Sequence, residues 1–210
     1  AGGNAVISYT VTNNGCSTTE VKNISVQTAP PTSIAVSGPT TFCAGGSVVL
    51  TAAAGSGYNW TNTSTAQSIT VTSSGTYGVS VTNGQGCASI AAPVSITVVP
   101  FPVLDAIAGS NTVCIGATEA MSNTTTGGVW ASSNAGVASV SSNGVVSGNN
   151  AGAATISYTF TNASGCTSTV TKPIAVNVIP SAVVSANGPT TFCAGGSVTL
   201  TAPAASSYLW

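Results

Sequence analysis

The sequence predicts an all-β chain built from a series of Greek-key β-sandwich modules, and three observations support this fold class. Segments between turn residues alternate apolar and small polar side chains with a period of two, as half-buried strands do. No window contains the apolar stripe of an amphipathic helix. Residues 38–60 return in altered form at 188–210, a shift of 150 positions, which is typical of an array of stacked repeats.

The repeat and a series of prolines divide the chain into four parts. Two complete modules are expected at 30–99 and 100–179. Residues 1–29 are interpreted as the C-terminal half of a truncated module, and residues 180–210 as the N-terminal half of another. We therefore expect this chain to be a window on a longer repetitive polypeptide.

The first complete module contains six candidate strands with apolar residues at alternate positions. Trp60 and Tyr77 lie at inward positions and are expected to fill the core. Six or seven short strands in about 70 residues are typical of a Greek-key sandwich of the immunoglobulin type. The candidate strands are 33–37, 47–53, 58–61, 68–72, 76–82 and 94–99.

The second complete module differs from the first in its sequence motifs but shows the same alternation of apolar and small polar residues. Trp130 is its largest candidate core residue, and Trp210 is the counterpart of Trp60 in the following partial module. The candidate strands are 119–122, 128–132, 137–140, 144–147, 154–161 and 174–178.

The order of short motifs resembles that of known bacterial modules. Trp130 is followed by VASV, NGVVSG and ATISYTF, which resembles the group 2 bacterial immunoglobulin-like module. The first module contains CAGGSVVLTA, YNW and SGTYGVSVTNGQGC, and it resembles the Ig-like and polycystic-kidney-disease-like (PKD-like) repeats of giant surface adhesins. Such adhesins occur in gliding bacteria that export proteins by the type IX route. The resemblance implies an extracellular or cell-surface location and a role in attachment or motility.

The chain is almost without charge, which excludes several classes of function. Two lysines 150 positions apart cannot form the basic patch that nucleic acids require. Without histidine or paired carboxylates there is no candidate general acid–base pair, so we expect no enzyme activity, no metal and no cofactor. The longest apolar stretch, 94–104, is interrupted by prolines and is too short for a membrane span of about 20 residues. The charged residues are Lys22, Lys172, Glu20, Asp105 and Glu119.

The predicted surface is rich in Ser, Thr, Asn, Ala and Gly and lacks the charged residues that usually keep strand edges apart. Two interpretations remain open. The surface either belongs to a neutral stalk or packs against copies of the same chain in a filament. In both cases few trypsin sites are present, because Lys22 and Lys172 are the two basic residues and Lys172 precedes a proline. Neighbouring repeats of the same chain are the other expected partners.

The six cysteines are regularly spaced and are expected to form disulfides rather than a metal site, because no CxxC-like cluster occurs. The favoured pairs are Cys43–Cys87 and Cys114–Cys166, each within one module, with Cys16 and Cys193 paired outside the window. A regular strand order could, however, place the members of a favoured pair at opposite ends of a sandwich, too far apart to bond. Two alternatives therefore stay open: pairs 27 residues apart, or a bond from one module to the facing end of the next.

Three functions are compatible with these features. The leading hypothesis is a structural segment of a long extracellular filament or adhesin, in which disulfide-stapled sandwiches form a protease-resistant stalk. A module that binds surface glycans would need exposed aromatic side chains. A spacer in a secreted polysaccharide-degrading enzyme would need a catalytic domain elsewhere.

Overall fold

The computed structural model describes residues 2–205 and 207–209, and the regular structure of these residues is entirely β. The all-β prediction is confirmed. The chain divides into two compact units. The first contains the sequence up to Phe101 together with Asn162–Cys166, and the second contains Pro102–Thr161 and the sequence from Thr167 onward.

A long antiparallel hairpin begins the first unit. Its strands are β1 (Gly3–Asn13) and β2 (Cys16–Val26). The two-residue turn between them has positive φ at both positions, 48° at Asn14 and 83° at Gly15, as a type I′ turn requires. All residues of both strands are exposed, so this hairpin has an uncovered apolar face.

The remainder of the first unit is a sandwich of short strands. Predicted strands 33–37, 47–53, 58–61, 68–72 and 94–99 each have a counterpart within one residue of the expected bounds. The strands are β3 (Ile34–Val36), β4 (Thr41–Cys43), β5 (Val48–Ala52), β6 (Gly57–Trp60), β7 (Ser68–Val71), β8 (Gly75–Tyr77), β9 (Val79–Thr82), β10 (Ala88–Ile90) and β11 (Val94–Val99).

One layer of this sandwich is the sheet β3-β5-β7. The other consists of β4-β11-β8 and β10-β9-β6. The predicted single strand 76–82 is interrupted at Gly78, so that β8 pairs with β11 while β9 pairs with β6 and β10. Strand β4 runs parallel to the end of β11, with Cys43 opposite Val99.

The core of the first sandwich lies between these layers and consists of the inward residues of the alternating pattern. Leu50 and Val81 are completely buried, and Trp60 is 2% exposed. The indole nitrogen of Trp60 donates a hydrogen bond to the carbonyl of Ala66 at 2.8 Å, so its one polar atom is satisfied.

The second sandwich occupies most of the second unit. Its hairpin β17–β18 is longer than predicted, because the polar segment 167–173 continues the pairing although it has little apolar alternation. The strands are β12 (Thr112–Cys114), β13 (Thr118–Ala120), β14 (Val129–Ser132), β15 (Ala138–Val140), β16 (Val145–Gly148), β17 (Gly152–Thr161) and β18 (Thr167–Asn177).

The two layers of the second sandwich are the sheets β12-β18-β17-β14 and β13-β16-β15. Strand β12 runs parallel to the end of β18, with Cys114 opposite Asn177, which repeats the arrangement of β4 and β11. Ile156 and Val146 are fully buried between the layers.

Both long hairpins carry pairs of hydroxyl side chains that face each other across the strands. Each pair is joined at 2.8 Å, and each lies on exposed positions near the turn. The pairs are Thr10–Thr19, Thr12–Ser17, Thr159–Thr169 and Thr161–Thr167.

The C-terminal segment of the second unit contains one short antiparallel pair, β19 (Ser185–Ala186) and β20 (Leu200–Thr201). Both strands are exposed. Trp210, predicted as a core residue, lies outside the described residues.

Candidate functional site: the Cys43–Cys166 bridge

A disulfide joins Cys43 to Cys166 within the first unit. The sulfur atoms are 2.07 Å apart, the Cα atoms are 5.6 Å apart, and the two residues are separated by 123 positions in the sequence. The favoured pairs Cys43–Cys87 and Cys114–Cys166 are therefore wrong. The bond is of the kind left open as an alternative, from a cysteine of module 30–99 to a cysteine of module 100–179.

The positions of Cys43 and Cys87 in the first sandwich explain why they do not pair. Cys43 lies beside Val99, where the last strand leaves the sandwich. Cys87 lies in loop 83–87, whose first residue, Asn83, bonds to Thr28 where the chain enters the sandwich. Cys43 and Cys87 therefore lie at opposite ends of the sandwich, one where the chain leaves it and one where the chain enters it. Their Cα atoms cannot come within the roughly 7 Å that a disulfide allows.

Cys43 begins a tight turn of a kind that occurs three times in the chain. The amide of Gly46 donates to the carbonyl of Cys43 at 3.0 Å, and Gly45 has a φ of 84°, which favours glycine there. The turns that begin at Cys114 and Cys193 contain the same hydrogen bond, at 3.1 and 2.9 Å. We call these three segments, 43–46, 114–117 and 193–196, the Cys-x-Gly turns.

Cys166 ends a loop that is built around one asparagine side chain. The Asn162 carboxamide oxygen accepts the amides of Ser164 and Cys166, both at 3.0 Å. The backbone amide of Asn162 also donates to the backbone carbonyl of Cys166 at 3.0 Å, so a main-chain hydrogen bond joins the first and last residues of the loop. These three hydrogen bonds hold the backbone of Cys166 in place.

Loop 83–87 has the same construction. The side-chain oxygen of Asn83 accepts hydrogen bonds from the backbone amides of Gln85 and Cys87 at 3.1 and 2.9 Å. The backbone amide of Asn83 donates to the carbonyl of Cys87 at 3.0 Å. We call segments 83–87 and 162–166 the Asn-Cys loops. Sequence reasoning missed this motif, although the shared spacing Asn-x-x-Gly-Cys is visible in the sequence.

The bridge lies at the end of β11, where a loop and a turn meet on one extended segment. The amide of Ala44 donates to the carbonyl of Val99 at 2.9 Å, and the Cys166 sulfur is 3.9 Å from that same oxygen. The side-chain amide of Asn162 is 3.5 Å from the carbonyl of Pro100. Cys166 is 1% exposed and Cys43 is half-buried, so the Cys166 side of the bond is protected from solvent.

Four further cysteines form no disulfide with any described residue. Cys87 is half-buried, whereas Cys16, Cys114 and Cys193 are exposed. That Cys16 and Cys193 pair outside this chain stays a prediction.

The predicted core aromatics differ in burial. Trp60 lies in the first core, and Tyr77 packs against that core half-buried, with its hydroxyl donating to the Ser73 carbonyl at 3.1 Å. Trp130 is half-buried against the second core, with its ring centroid 4.6 Å from that of Tyr158.

An open cavity of about 230 Å³ lies beside Trp130 in the second unit. It combines aromatic and polar side chains, and the Tyr158 hydroxyl on its floor is already bonded to the Thr125 carbonyl and the Gly128 amide. Its lining includes Met121, Asn123, Thr126, Trp130, Asn143 and Tyr158.

The acidic residues of the second unit support loops. Glu119 accepts the amide of Ser110 at 2.7 Å, and Asp105 accepts the hydroxyl of Thr124. Among residues 2–205 and 207–209, no three His, Cys, Asp or Glu side chains are grouped so that they could hold a metal ion. In the same part of the chain, no helix has the length and hydropathy needed to cross a membrane.

Comparisons with known proteins agree with this architecture. Residues 92–170 match the family model of the bacterial Ig-like domain (group 2), which covers most of the second sandwich. This part of the chain is therefore similar to a bacterial Ig-like domain. A search of the curated proteins gives no significant match.

Several solved structures are similar at low identity. The C-terminal 282-residue fragment of intimin, solved with the intimin-binding domain of its translocated receptor, is 20% identical, with a TM-score of 0.36; the alignment covers 74% of this chain and 66% of the fragment. A Ca²⁺-stabilised adhesin with which an Antarctic bacterium binds ice is 16% identical, with a TM-score of 0.45, and the alignment covers 90% and 60%. Domains 1–6 of the surface layer protein SbsC are 16% identical, with a TM-score of 0.30, and the alignment covers 95% and 44%. This chain thus spans less than two thirds of each of these chains.

Proposed function

We propose that this chain is a load-bearing, non-enzymatic segment of a long extracellular filament or surface adhesin. The observation that carries the proposal is the disulfide between Cys43 and Cys166. Disulfides persist in oxidising surroundings such as the cell exterior and are rare in the cytosol. A bond between residues 123 positions apart suits a protein that must keep its shape outside the cell.

The mechanical consequence of the bond supports a role under tension. A force applied to the two ends of the chain passes from Cys43 directly to Cys166, so the residues between them carry none of it once the flanking segments are extended. The bond withholds 123 residue steps, or about 400 Å of extended chain at 3.3–3.6 Å per residue. Sandwich 112–177 lies mostly inside this closed loop.

The low charge supports the same proposal. Two basic residues give trypsin-like proteases little to cleave, and one of them precedes Pro173. We extend the proposal to location and partners: the cell surface, with neighbouring repeats and copies of the chain as contacts. The resemblance to adhesins of gliding bacteria supports attachment or motility as the purpose.

Immunoelectron microscopy of cells that express the native protein tests the proposed location and form. Antibodies against this chain should label extracellular fibres at regular axial intervals. Label confined to the cell interior, or to short particles of uniform size, would contradict the proposal. Preimmune serum is the control.

Single-molecule stretching of the chain tests the mechanical part. With the bond intact, full extension should be about 400 Å shorter than after reduction, for the reason given above. A variant with Cys43→Ser and Cys166→Ser should give the longer value with and without reductant. Equal lengths of the unmodified chain before and after reduction would contradict the load path.

Glycan binding is a second candidate function, favoured by the cavity beside Trp130. Sugars stack on aromatic faces and bond to amide and hydroxyl side chains, and Asn123 and Asn143 line this cavity. A glycan array probed with the full chain should show binding that Asn143→Ala weakens, with Asn149→Ala as an exposed control. An array without a signal would remove this candidate.

A further inference from the structure

Cys87 lies in a site that is built like the Cys43–Cys166 bridge but lacks one of its three elements. At the bridge, three elements meet: an extended segment at 97–100, an Asn-Cys loop and a Cys-x-Gly turn. Around Cys87, two of these elements are present. The side-chain amide of Asn83 donates to the carbonyl of Thr28 at 2.8 Å, as that of Asn162 contacts the carbonyl of Pro100.

Strand β2 and the residues after it supply the extended segment. Because the repeat shifts the sequence by 150 positions, Ser25, Val26 and Gln27 correspond to Ala175, Val176 and Asn177. In the second sandwich, those residues pair in parallel with Thr112, Val113 and Cys114 of a Cys-x-Gly turn. In the part of the chain that the structure describes, β2 pairs with β1 alone, so the corresponding edge is free.

The turns that begin at Cys43 and Cys114 already pair with an extended segment, and both make the hydrogen bonds that an incoming turn would make. The residue after the cysteine donates to the segment: Ala44 to Val99, and Ile115 to Asn177, each at 2.9 Å. The segment donates back two positions earlier, where the amide of Ala175 reaches the carbonyl of Asn111 at 2.9 Å. At the free edge, the matching groups are the Gln27 carbonyl and the Ser25 amide.

We propose that this free edge, together with Cys87, binds a Cys-x-Gly turn and forms a disulfide with its cysteine. The turn pairs in parallel with residues 25–27, which places its cysteine opposite Gln27 and beside loop 83–87. The inference rests on the proposed function, because it makes the bridge a general connection between repeats.

The repeat spacing identifies which turn the site takes. The completed bridge joins a turn cysteine to a loop cysteine 123 positions later. The counterpart of Cys114 in the preceding repeat would lie 150 positions before Cys114. It would therefore lie 123 positions before Cys87, which is the separation between Cys43 and Cys166. The turn that fits is therefore the counterpart of 114–117 in a further repeat of the polypeptide, because the turn 114–117 of this chain is already paired with β18.

Bond formation needs an oxidant, for which a small disulfide such as glutathione disulfide suffices. The Cys87 thiolate attacks one sulfur of glutathione disulfide, forms a mixed disulfide and expels one glutathione thiolate, which takes up a proton. The thiolate of the incoming turn then attacks the Cys87 sulfur and expels the second glutathione. Two cysteine thiols are oxidised, and one glutathione disulfide is reduced to two glutathione molecules.

Trapping of a synthetic peptide by the full chain tests the site. The peptide SNTVCIGAT, residues 110–118, is incubated with a variant that keeps Cys87 and the bridge but carries Cys16→Ala, Cys114→Ala and Cys193→Ala. The matched variant keeps Cys16 instead of Cys87. The control peptide has the same thiol but a methyl group on the amide nitrogen of the residue after the cysteine, which removes the donor to Gln27.

In a glutathione redox buffer, the Cys87 variant should hold at least about tenfold more of the plain peptide than of the methylated one. The Cys16 variant should hold both peptides equally. Equal amounts of both peptides on Cys87 would overturn this proposal. The proposed function would still stand if mass spectrometry finds the Cys43–Cys166 bond and the antibodies label extracellular fibres. Oxidation of the unmodified chain alone then tests the source: monomers that still capture the peptide agree with a turn from a further repeat, whereas cross-links from Cys87 to Cys114 between molecules would contradict it.

Discussion

Hairpins β1–β2 and β17–β18 have closely related sequences and the same register, yet the first is exposed throughout whereas the second buries its inward residues. Ile7 pairs with Lys22 as Ile156 pairs with Lys172. Ile7 is nevertheless 54% exposed, whereas Ile156 is completely buried. Local pairing and turn chemistry therefore determine the register, while burial depends on a body of other strands, which only the second hairpin has.

The same comparison holds at the turns of the two hairpins. The first hairpin closes through Asn-Asn-Gly-Cys at 13–16 and leaves Cys16 exposed, whereas the second closes through Asn-Ala-Ser-Gly-Cys at 162–166, which is one residue longer, and buries Cys166. A one-residue difference in the turn thus accompanies the difference between a free thiol and a bridged one. Four paired substitutions test this comparison.

The largest effect is expected from the cysteines. Removing the bridge with Cys43→Ala and Cys166→Ala should lower the free energy of unfolding by about 5 kcal/mol, the loop-entropy value for a separation of 123 residues. Cys16→Ala should leave it unchanged, because no described residue is bonded to that sulfur. Urea unfolding followed by circular dichroism measures both, and equal losses would break the comparison.

A smaller effect is expected from the isoleucines. Ile156→Ala should cost about 2–5 kcal/mol, because it leaves a cavity in a core where the side chain has no exposure. Ile7→Ala should change stability by less than about 0.5 kcal/mol. Hydrogen exchange of the β17 and β1 amides reports each hairpin separately. A large loss from Ile7→Ala would show that the first hairpin is covered in solution.

The tyrosines sharpen the comparison without changing packing volume. The Tyr158 hydroxyl donates to the Thr125 carbonyl at 2.6 Å and accepts the Gly128 amide at 2.7 Å, so Tyr158→Phe should cost about 1–3 kcal/mol. Tyr9→Phe should have no measurable effect, since Tyr9 is 70% exposed. Thermal unfolding of the two variants decides, and a stable Tyr158→Phe protein would mean that water replaces the hydroxyl.

The smallest effect is expected from the lysines. The Lys172 ammonium group donates to the Ile107 carbonyl at 3.3 Å, so Lys172→Met should cost about 1 kcal/mol. Lys22→Met is the matched control and should be neutral. Urea titrations of both variants measure the difference, and identical midpoints would show that the Lys172 hydrogen bond contributes nothing.

The alternating pattern predicted the longer strands well because their inward residues repeat with a period of two. In β5 and β7 the apolar residues at alternate positions include Val48, Leu50, Ile69 and Val71, and all four are buried. Strands β4, β10 and β12 were missed. Each is three residues long, which is too short for alternation to be distinguished from chance.

The sequence left a bond between modules open as an alternative but could not select the pair, because the pairing of cysteines depends on which ends of the sandwiches they occupy. Strands β4 and β12 place Cys43 and Cys114 at the leaving ends, and both strands were missed. Without them, pairing within a module was the simpler assumption. The repeated Asn-x-x-Gly-Cys spacing was an available signal, since it marks a second class of cysteine environment at Cys87 and Cys166.

The facing threonines near the hairpin turns have one further consequence. Each hydroxyl already has its neighbour as a partner at 2.8 Å, and neither member carries a charge that dissolved ions could screen. Contacts of this kind hold equally well in fresh water and in brine. The two hairpins are therefore expected to keep these cross-strand contacts over a wide range of ionic strength.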